Sequence, residues 1–310
     1  MSTELDQEEL ELAELEMECH RPQVGEEQLG VFGTFPVQPT RLDATDSFFF
    51  HCHKGVSCWN KCCHGADITL TPYDILRLAR HFAVPASEIL AQYTVPALFE
   101  KTDLPVAKLK MGGEDGKGAC AFVAEGGCTI YDARPATCRY YPLGMASVKM
   151  KEAETKEDFY FLVKEPHCEG HTQAKGQTVA EFRHEQGIDA GESHYRGWID
   201  ILMKMASWNT MGGPGGKKPT PQTQKMFFMA TTDVNAFRQF VFGSSFLQTY
   251  DLPDEVVTAI RTDDEALLEV GYAWLKAVLF NEPTLLLKQE VLQDAIAKMH
   301  REYASQDSGT

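Results

Sequence analysis

The chain has no apolar run of the roughly 18 or more residues that a membrane-crossing helix needs, so a membrane partner is not expected. Basic residues are scarce. There are 29 Lys and Arg against 45 Asp and Glu, and the formal net charge is −16 at pH 7. Such a chain repels a phosphate backbone, which argues against nucleic acid and suits a metal ion as partner. Met1-Ser2-Thr3-Glu4 lacks the positive and apolar stretches of a secretory signal, and a cytoplasmic location is expected. There is no Gly-x-Ser-x-Gly elbow and no glycine-rich nucleotide loop after a strand, so no catalytic residue is assigned from motifs. Cysteine is missing from Glu169 to Thr310.

Where cysteine does occur it is concentrated. Eight of the nine form the series Cys52-x5-Cys58-x3-Cys62-Cys63, Cys120-x7-Cys128-x9-Cys138 and Cys168. Thiols stay free in a reducing compartment, so this clustering points to metal or redox chemistry rather than disulfides or scattered core residues. Thiolates are soft donors that suit zinc and iron-sulfur clusters, four of them close a tetrahedral site, and eight would serve two. Neighbouring side chains diverge along most backbones, so Cys62 and Cys63 are expected to serve two metals, or one of them to be a bystander. A disulfide between them is disfavoured because adjacent α-carbons are only about 3.8 Å apart. Neither zinc-finger C-x2-C pairs nor the ferredoxin run C-x2-C-x2-C is present, so spacing leaves the metal open.

Two kinds of neighbour bear on such a site. Lys61, Arg134 and Arg139 are near enough in sequence to compensate thiolate charge. His51, His53, His64, His167 and His171 bracket the cysteines, and His64, directly after Cys63, is the first candidate for an imidazole ligand. Cys19 lies far from the others, at the end of the acidic stretch Glu4 to Glu18, and is left outside the site.

The apolar pattern supplies the scaffold. Ala66 to Leu70 reads as a short strand. Thr71 then caps a helix with Pro72 at its first position, Asp74 favouring its dipole, and Ile75, Leu78, Ala79 and Phe82 on one face. A second helix starts near Ser87-Glu88 and carries Ile89, Leu90 and Tyr93. Met111 to Gly118 is a glycine-rich loop, and Ala119 to Tyr131 forms two short strands around Glu125-Gly126-Gly127. Asp158 to Val163 is a strand that returns Cys168 to the others. Tyr195, Trp198, Leu202 and Met205 share a helix face, and Met211 to Pro221 interrupts the pattern. Asp233 to Phe242 is helical, with Phe237, Phe240, Phe242 and Phe246 expected in the core. Thr262-Asp263-Asp264-Glu265 has capping-box spacing ahead of Leu267, Val270, Trp274 and Val278.

The run ending in Cys62-Cys63, followed by Ile68 and Leu70 before the helix, and the stretch Cys128-Thr129-Ile130-Tyr131-Asp132-Ala133-Arg134-Pro135-Ala136-Thr137-Cys138-Arg139-Tyr140-Tyr141-Pro142 together resemble the YkgJ family, a zinc- or iron-chelating domain with eight cysteines. The resemblance covers Phe48 to Gly170. Its first cysteine run is longer here than the compact C-x2-C-x2-CC of many members, which leaves the order of ligation open. Carried over by position, the resemblance implies Cys52, Cys58, Cys62, Cys63, Cys120, Cys128, Cys138 and Cys168 as ligands. Its flagellin lysine-N-methylase members suggest iron-sulfur-dependent methyl transfer to lysine.

The expected fold is α+β: a small metal-pinned, cysteine-rich domain of short strands and helices, followed by a mostly helical C-terminal region. Its expected divisions are an acidic, partly disordered arm over 1–43, the cysteine domain over 44–188, and the helical region over 189–305 with its loop at 211–221. The expected function is a metal-binding protein holding an iron-sulfur cluster or zinc. An iron-sulfur-dependent protein-lysine N-methylase and a zinc-stabilised interaction module are the alternatives, with the protein partner unknown.

Overall fold

The computed structural model describes residues 37–100, 102–148, 157–211 and 218–307. The acidic stretch Glu4 to Glu18, Cys19 and positions 212–217 of the glycine- and proline-rich loop lie outside the described residues. The chain divides into two compact units, the first ending at Gln224 and the second starting at Lys225.

The first unit is α+β, with short strands held in small antiparallel sheets. In one sheet β1 (Val37–Leu42), β9 (Glu157–Val163) and β8 (Leu143–Val148) run in the order β1-β9-β8. Thus the end of the segment assigned by sequence to the acidic arm is a strand, because β9 supplies a pairing edge far away in the chain. In a second sheet β5 (Leu104–Leu109) lies between β3 (Thr69–Leu70) and β4 (Thr94–Phe99). Two ribbons complete the set: β2 (Ser47–Phe49) with β10 (Gly176–Thr178), and β6 (Val123–Ala124) with β7 (Gly127–Cys128).

Helix α1 (Pro72–Phe82) forms where the sequence places it, and a full capping box starts it. Asp74 N–H donates to the Thr71 hydroxyl at 3.1 Å, while the Asp74 carboxylate accepts from Thr71 N–H at 2.9 Å. The same carboxylate reaches across the fold and accepts from Ala136 N–H at 2.9 Å. Asp74 thereby ties α1 to the start of α3 (Ala136–Tyr140), the helix that carries Cys138. Ile75, Leu78 and Ala79 are buried as expected, but Phe82 is 36% exposed, since the helix ends there. Its ring stacks on Tyr93, from α2 (Ala86–Tyr93), and on Phe122.

The main core of this unit joins Phe48 and Phe50 to Tyr140, Leu143, Met145 and Tyr160, and to Val179 and Phe182 of α4 (Val179–Glu185). Burying a side chain of this kind stabilises by about 1.5–3 kcal/mol, so these contacts outweigh the weak propensity of two- and three-residue strands. Helix α5 (Glu192–Thr210) buries Tyr195, Trp198, Leu202 and Met205, and Tyr195 packs with Tyr73 and Ala136 in the first unit.

Helix α6 (Pro221–Thr231) crosses the division, and the second unit is otherwise helical. Phe237 of α7 (Val234–Gly243) and Phe246 of α8 (Phe246–Thr249) are buried with Trp274 of α10 (Asp264–Phe280), their rings 5.6–6.0 Å apart. Phe240 and Phe242 are only half-buried. The cap of α10 is Asp263, not Thr262: its carboxylate accepts from Glu265 and Ala266 N–H. A carboxylate one residue closer to the helix displaces the expected threonine. Val278, placed by sequence on the apolar face, is 46% exposed, a full turn beyond Trp274. A short helix, α9 (Asp254–Ala259), and the terminal α11 (Gln289–Asp307) complete this unit.

Candidate metal centre

All eight clustered cysteines line one cavity of about 340 Å3 in the first unit. They reach it from separate elements. Cys52 and Cys58 lie on the loop after β2, Cys62 and Cys63 on a single 3-10 turn (Lys61–Cys63), Cys120 just before the β6-β7 ribbon and Cys128 within it. Cys138 comes from α3, and Cys168 from the segment following β9. Eight of eight converge although the series spans more than a hundred positions, which scattered core cysteines would not do.

The ribbon depends on one glycine. Gly127 has φ +114°, and a Cβ there would meet the Trp59 ring at 2.8 Å. Gly127→Ala is therefore expected to cost about 2 kcal/mol through backbone strain and overpacking, read from denaturant midpoints, and to displace Cys128.

Backbone amides point at the sulfurs. Cys58 Sγ accepts from Glu169 N–H at 3.2 Å and Cys120 Sγ from Phe122 N–H at 3.5 Å. The backbone at Ile130 and Gly170 also favours the charged forms of Cys128 and Cys168, though burial raises both thiols overall. Such bonds favour the charged thiolate. Working against them, burial first and neighbouring thiols second push Cys52 up to about 11, and both effects also raise Cys138. In the adjacent pair each thiol acts on the other, which lowers Cys62 and raises Cys63. A soft cation bound among these sulfurs would supply the opposite charge that burial and mutual repulsion call for.

Of the three cations expected to compensate this charge, one faces the cavity. Arg134 lines it and lowers Cys52, Cys62, Cys128 and Cys138. Its guanidinium lies 3.7 Å over the Tyr131 ring and donates to Tyr131 O at 3.0 Å and Gln186 Oε1 at 2.8 Å. Arg139 is buried and serves as a backbone staple, donating to the carbonyls of Asp132, Arg134 and Gln186. Lys61 is exposed and does not line the cavity.

The histidines sort differently from their order in the sequence. His64, the first candidate, is exposed, turns its Nδ1 to Asn60 O at 3.0 Å and is not among the cavity-lining residues. His53 accepts from Gly55 N–H through Nδ1, so its Nε2 donates to Gln173 Oε1. His171 bonds Val163 O. His51 and His167 do line the cavity, and His167 Nε2 stands 3.5 Å from the buried Glu165 carboxylate. Glu165 and Tyr141 were not singled out by sequence. The Tyr141 hydroxyl faces both the Cys168 sulfur and Glu165 without closing a full hydrogen bond to either. Trp59 Nε1 is likewise buried without a partner beside the cavity.

Among the described residues, no three Cys, His, Asp or Glu side chains stand close enough together to hold one ion as they lie. The donor set is nevertheless that of a soft-metal site: eight thiols, amides aimed at sulfur and one guanidinium. Residues 51–169 match the family model CxxCxxCC, a putative zinc- or iron-chelating domain. The CxxCxxCC segment contains all eight cavity cysteines, so the family character and the site coincide. Its cofactor class is zinc or iron, and the metal-binding expectation holds at that level. No curated protein and no solved structure matches the chain. No helix among the described residues is long and apolar enough to cross a membrane.

Proposed function

We propose that the first unit is a metal-chelating domain in which Cys52, Cys58, Cys62, Cys63, Cys120, Cys128, Cys138 and Cys168 are the ligands, with an iron-sulfur centre as the best-fitting occupant. The observation that carries this reading is the gathering of all eight residues around one cavity. Four-thiolate ligation serves zinc and iron-sulfur clusters alike. The series lacks the C-x2-C pairs of zinc fingers and carries an adjacent Cys62-Cys63 pair with widely spaced partners, a pattern that suits cluster ligation at least as well as zinc. When bound, an iron-sulfur group supplies electron transfer or Lewis acidity. The protein's contribution is the thiolate frame, the amide hydrogen bonds to sulfur and the Arg134 charge.

Anaerobic purification, elemental analysis and a visible spectrum of one sample test this. Iron with sulfide and a broad visible absorption support the iron-sulfur reading. Colourless protein with stoichiometric zinc replaces it with a zinc-stabilised module. Less than about a tenth of an equivalent of both metals overturns chelation altogether.

A further inference from the structure

We infer that the eight thiols are divided into two four-cysteine centres, Cys52, Cys58, Cys62 and Cys168 in one and Cys63, Cys120, Cys128 and Cys138 in the other, meeting at the Cys62–Cys63 peptide. This division rests on the chelation reading above and adds the number of centres and the ligands of each.

The backbone makes the division first. The loop bearing Cys52 and Cys58 is tied to the segment bearing Cys168: His51 N–H donates to Gly170 O at 3.0 Å, and Glu169 N–H to Cys58 Sγ at 3.2 Å. A separate set of bonds joins the other cysteines. Cys120 N–H donates to Cys63 O at 2.7 Å, His64 bridges to Ala119, and Cys128 pairs with Val123 across the ribbon that Cys120 precedes.

The sulfurs follow the backbone. Cys52 faces Cys58, Cys62 and Cys168, whereas Cys63 faces Cys138 and Cys120, and Cys138 faces Cys120 and Cys128. Cys62 touches both groups, lying beside Cys63 and also facing Cys128 and Cys138. The turn that carries the pair assigns Cys62 to the first: Cys63 belongs to the second group, and on a 3-10 turn the neighbouring side chain points away from it.

The adjacent pair sits on a 3-10 turn, where successive side chains point about 120° apart. One peptide can thus send Cys62 to one centre and Cys63 to its neighbour. Two closed four-thiolate sets satisfy either chemistry, since a tetrahedral zinc and a cubane each take four cysteines.

The test compares three full-length chains purified anaerobically: wild type, Cys58→Ser/Cys168→Ser and Cys120→Ser/Cys128→Ser. Metal per chain is counted by elemental analysis and native mass spectrometry. Each double variant is expected to retain about half of the wild-type metal, in a centre whose spectrum still reports four-sulfur ligation. Loss of all metal, or of none, from either variant overturns the division.

If a variant does not fold, Co2+ titration of chelator-stripped wild type decides. Sulfur-to-cobalt absorption rising linearly to about two equivalents supports two centres, and a break at about one overturns them. A wild type that is purified without metal and binds no Co2+ overturns chelation itself, an outcome distinct from a metal-bearing chain with a single centre.

Discussion

Replacing Asp74 by alanine is expected to destabilise the first unit by about 3 kcal/mol at pH 5, because the substitution removes the side-chain half of a capping box and orphans two buried N–H groups. The residue is fully buried, and its two oxygens hold Thr71 N–H and Ala136 N–H, so one side chain closes the start of α1 and fixes α3. Loosening α3 also loosens Cys138, and metal content should fall with stability. Burial, partly offset by the hydrogen bonds to Thr71 and Ala136, pushes this carboxyl up from 3.8 to about 6. A group whose folded pKa lies above its unfolded value contributes stability that is complete below the unfolded pKa and is lost as pH rises through the folded one. The wild type's advantage over Asp74→Ala should therefore shrink between about pH 4 and pH 7, a window set by that shift. Urea midpoints of both proteins across that range measure it. A wild-type advantage that grows with pH would show that Asp74 is ionised without cost in the folded chain.

Arg134→Gln is expected to weaken metal binding about 10- to 100-fold, the usual effect of removing a partner that orients or neutralises ligands. Arg134 is the cation that faces four of the eight thiols, and stacking on Tyr131 with hydrogen bonds to Tyr131 O and Gln186 fixes its position. Competition against chelators of graded strength measures the loss, with metal-free melting as the control for a purely structural effect. Arg134→Lys should recover only part of the affinity, because an ammonium carries the charge without the planar stack and fork. Lys61→Gln should change affinity little, since Lys61 is exposed and stands off the cavity. Equal affinity in Arg134→Gln and wild type would assign the compensation elsewhere.

Local chemistry was the part of the fold legible in the sequence. Thr71, Pro72 and Asp74 announce the start of α1, and the glycines at 126 and 127 announce the β6-β7 ribbon, because caps and tight turns are decided by a few adjacent residues. Pairings between distant segments were not legible. β1, the β4-β5 hairpin and β8 carry no strong local signal, since their stability comes from partners remote in the chain. Adjacency to Cys63 does not bring His64 to the cavity, since neighbouring side chains diverge along the backbone, and its Nδ1 turns to Asn60 O instead.

For the site, residue types and their clustering by themselves determined the donor class: eight soft sulfur donors, an acidic chain and a family resemblance to chelating domains. Donor chemistry belongs to the side chain and survives any fold. The tertiary structure alone decided that one cavity gathers all eight, that Arg134 and not Arg139 or Lys61 faces them, and that Asp74 joins two helices across the unit. Those outcomes depend on which strands pair and which amides are left to bond sulfur or carboxylate, and a linear sequence specifies them only through the whole packed core.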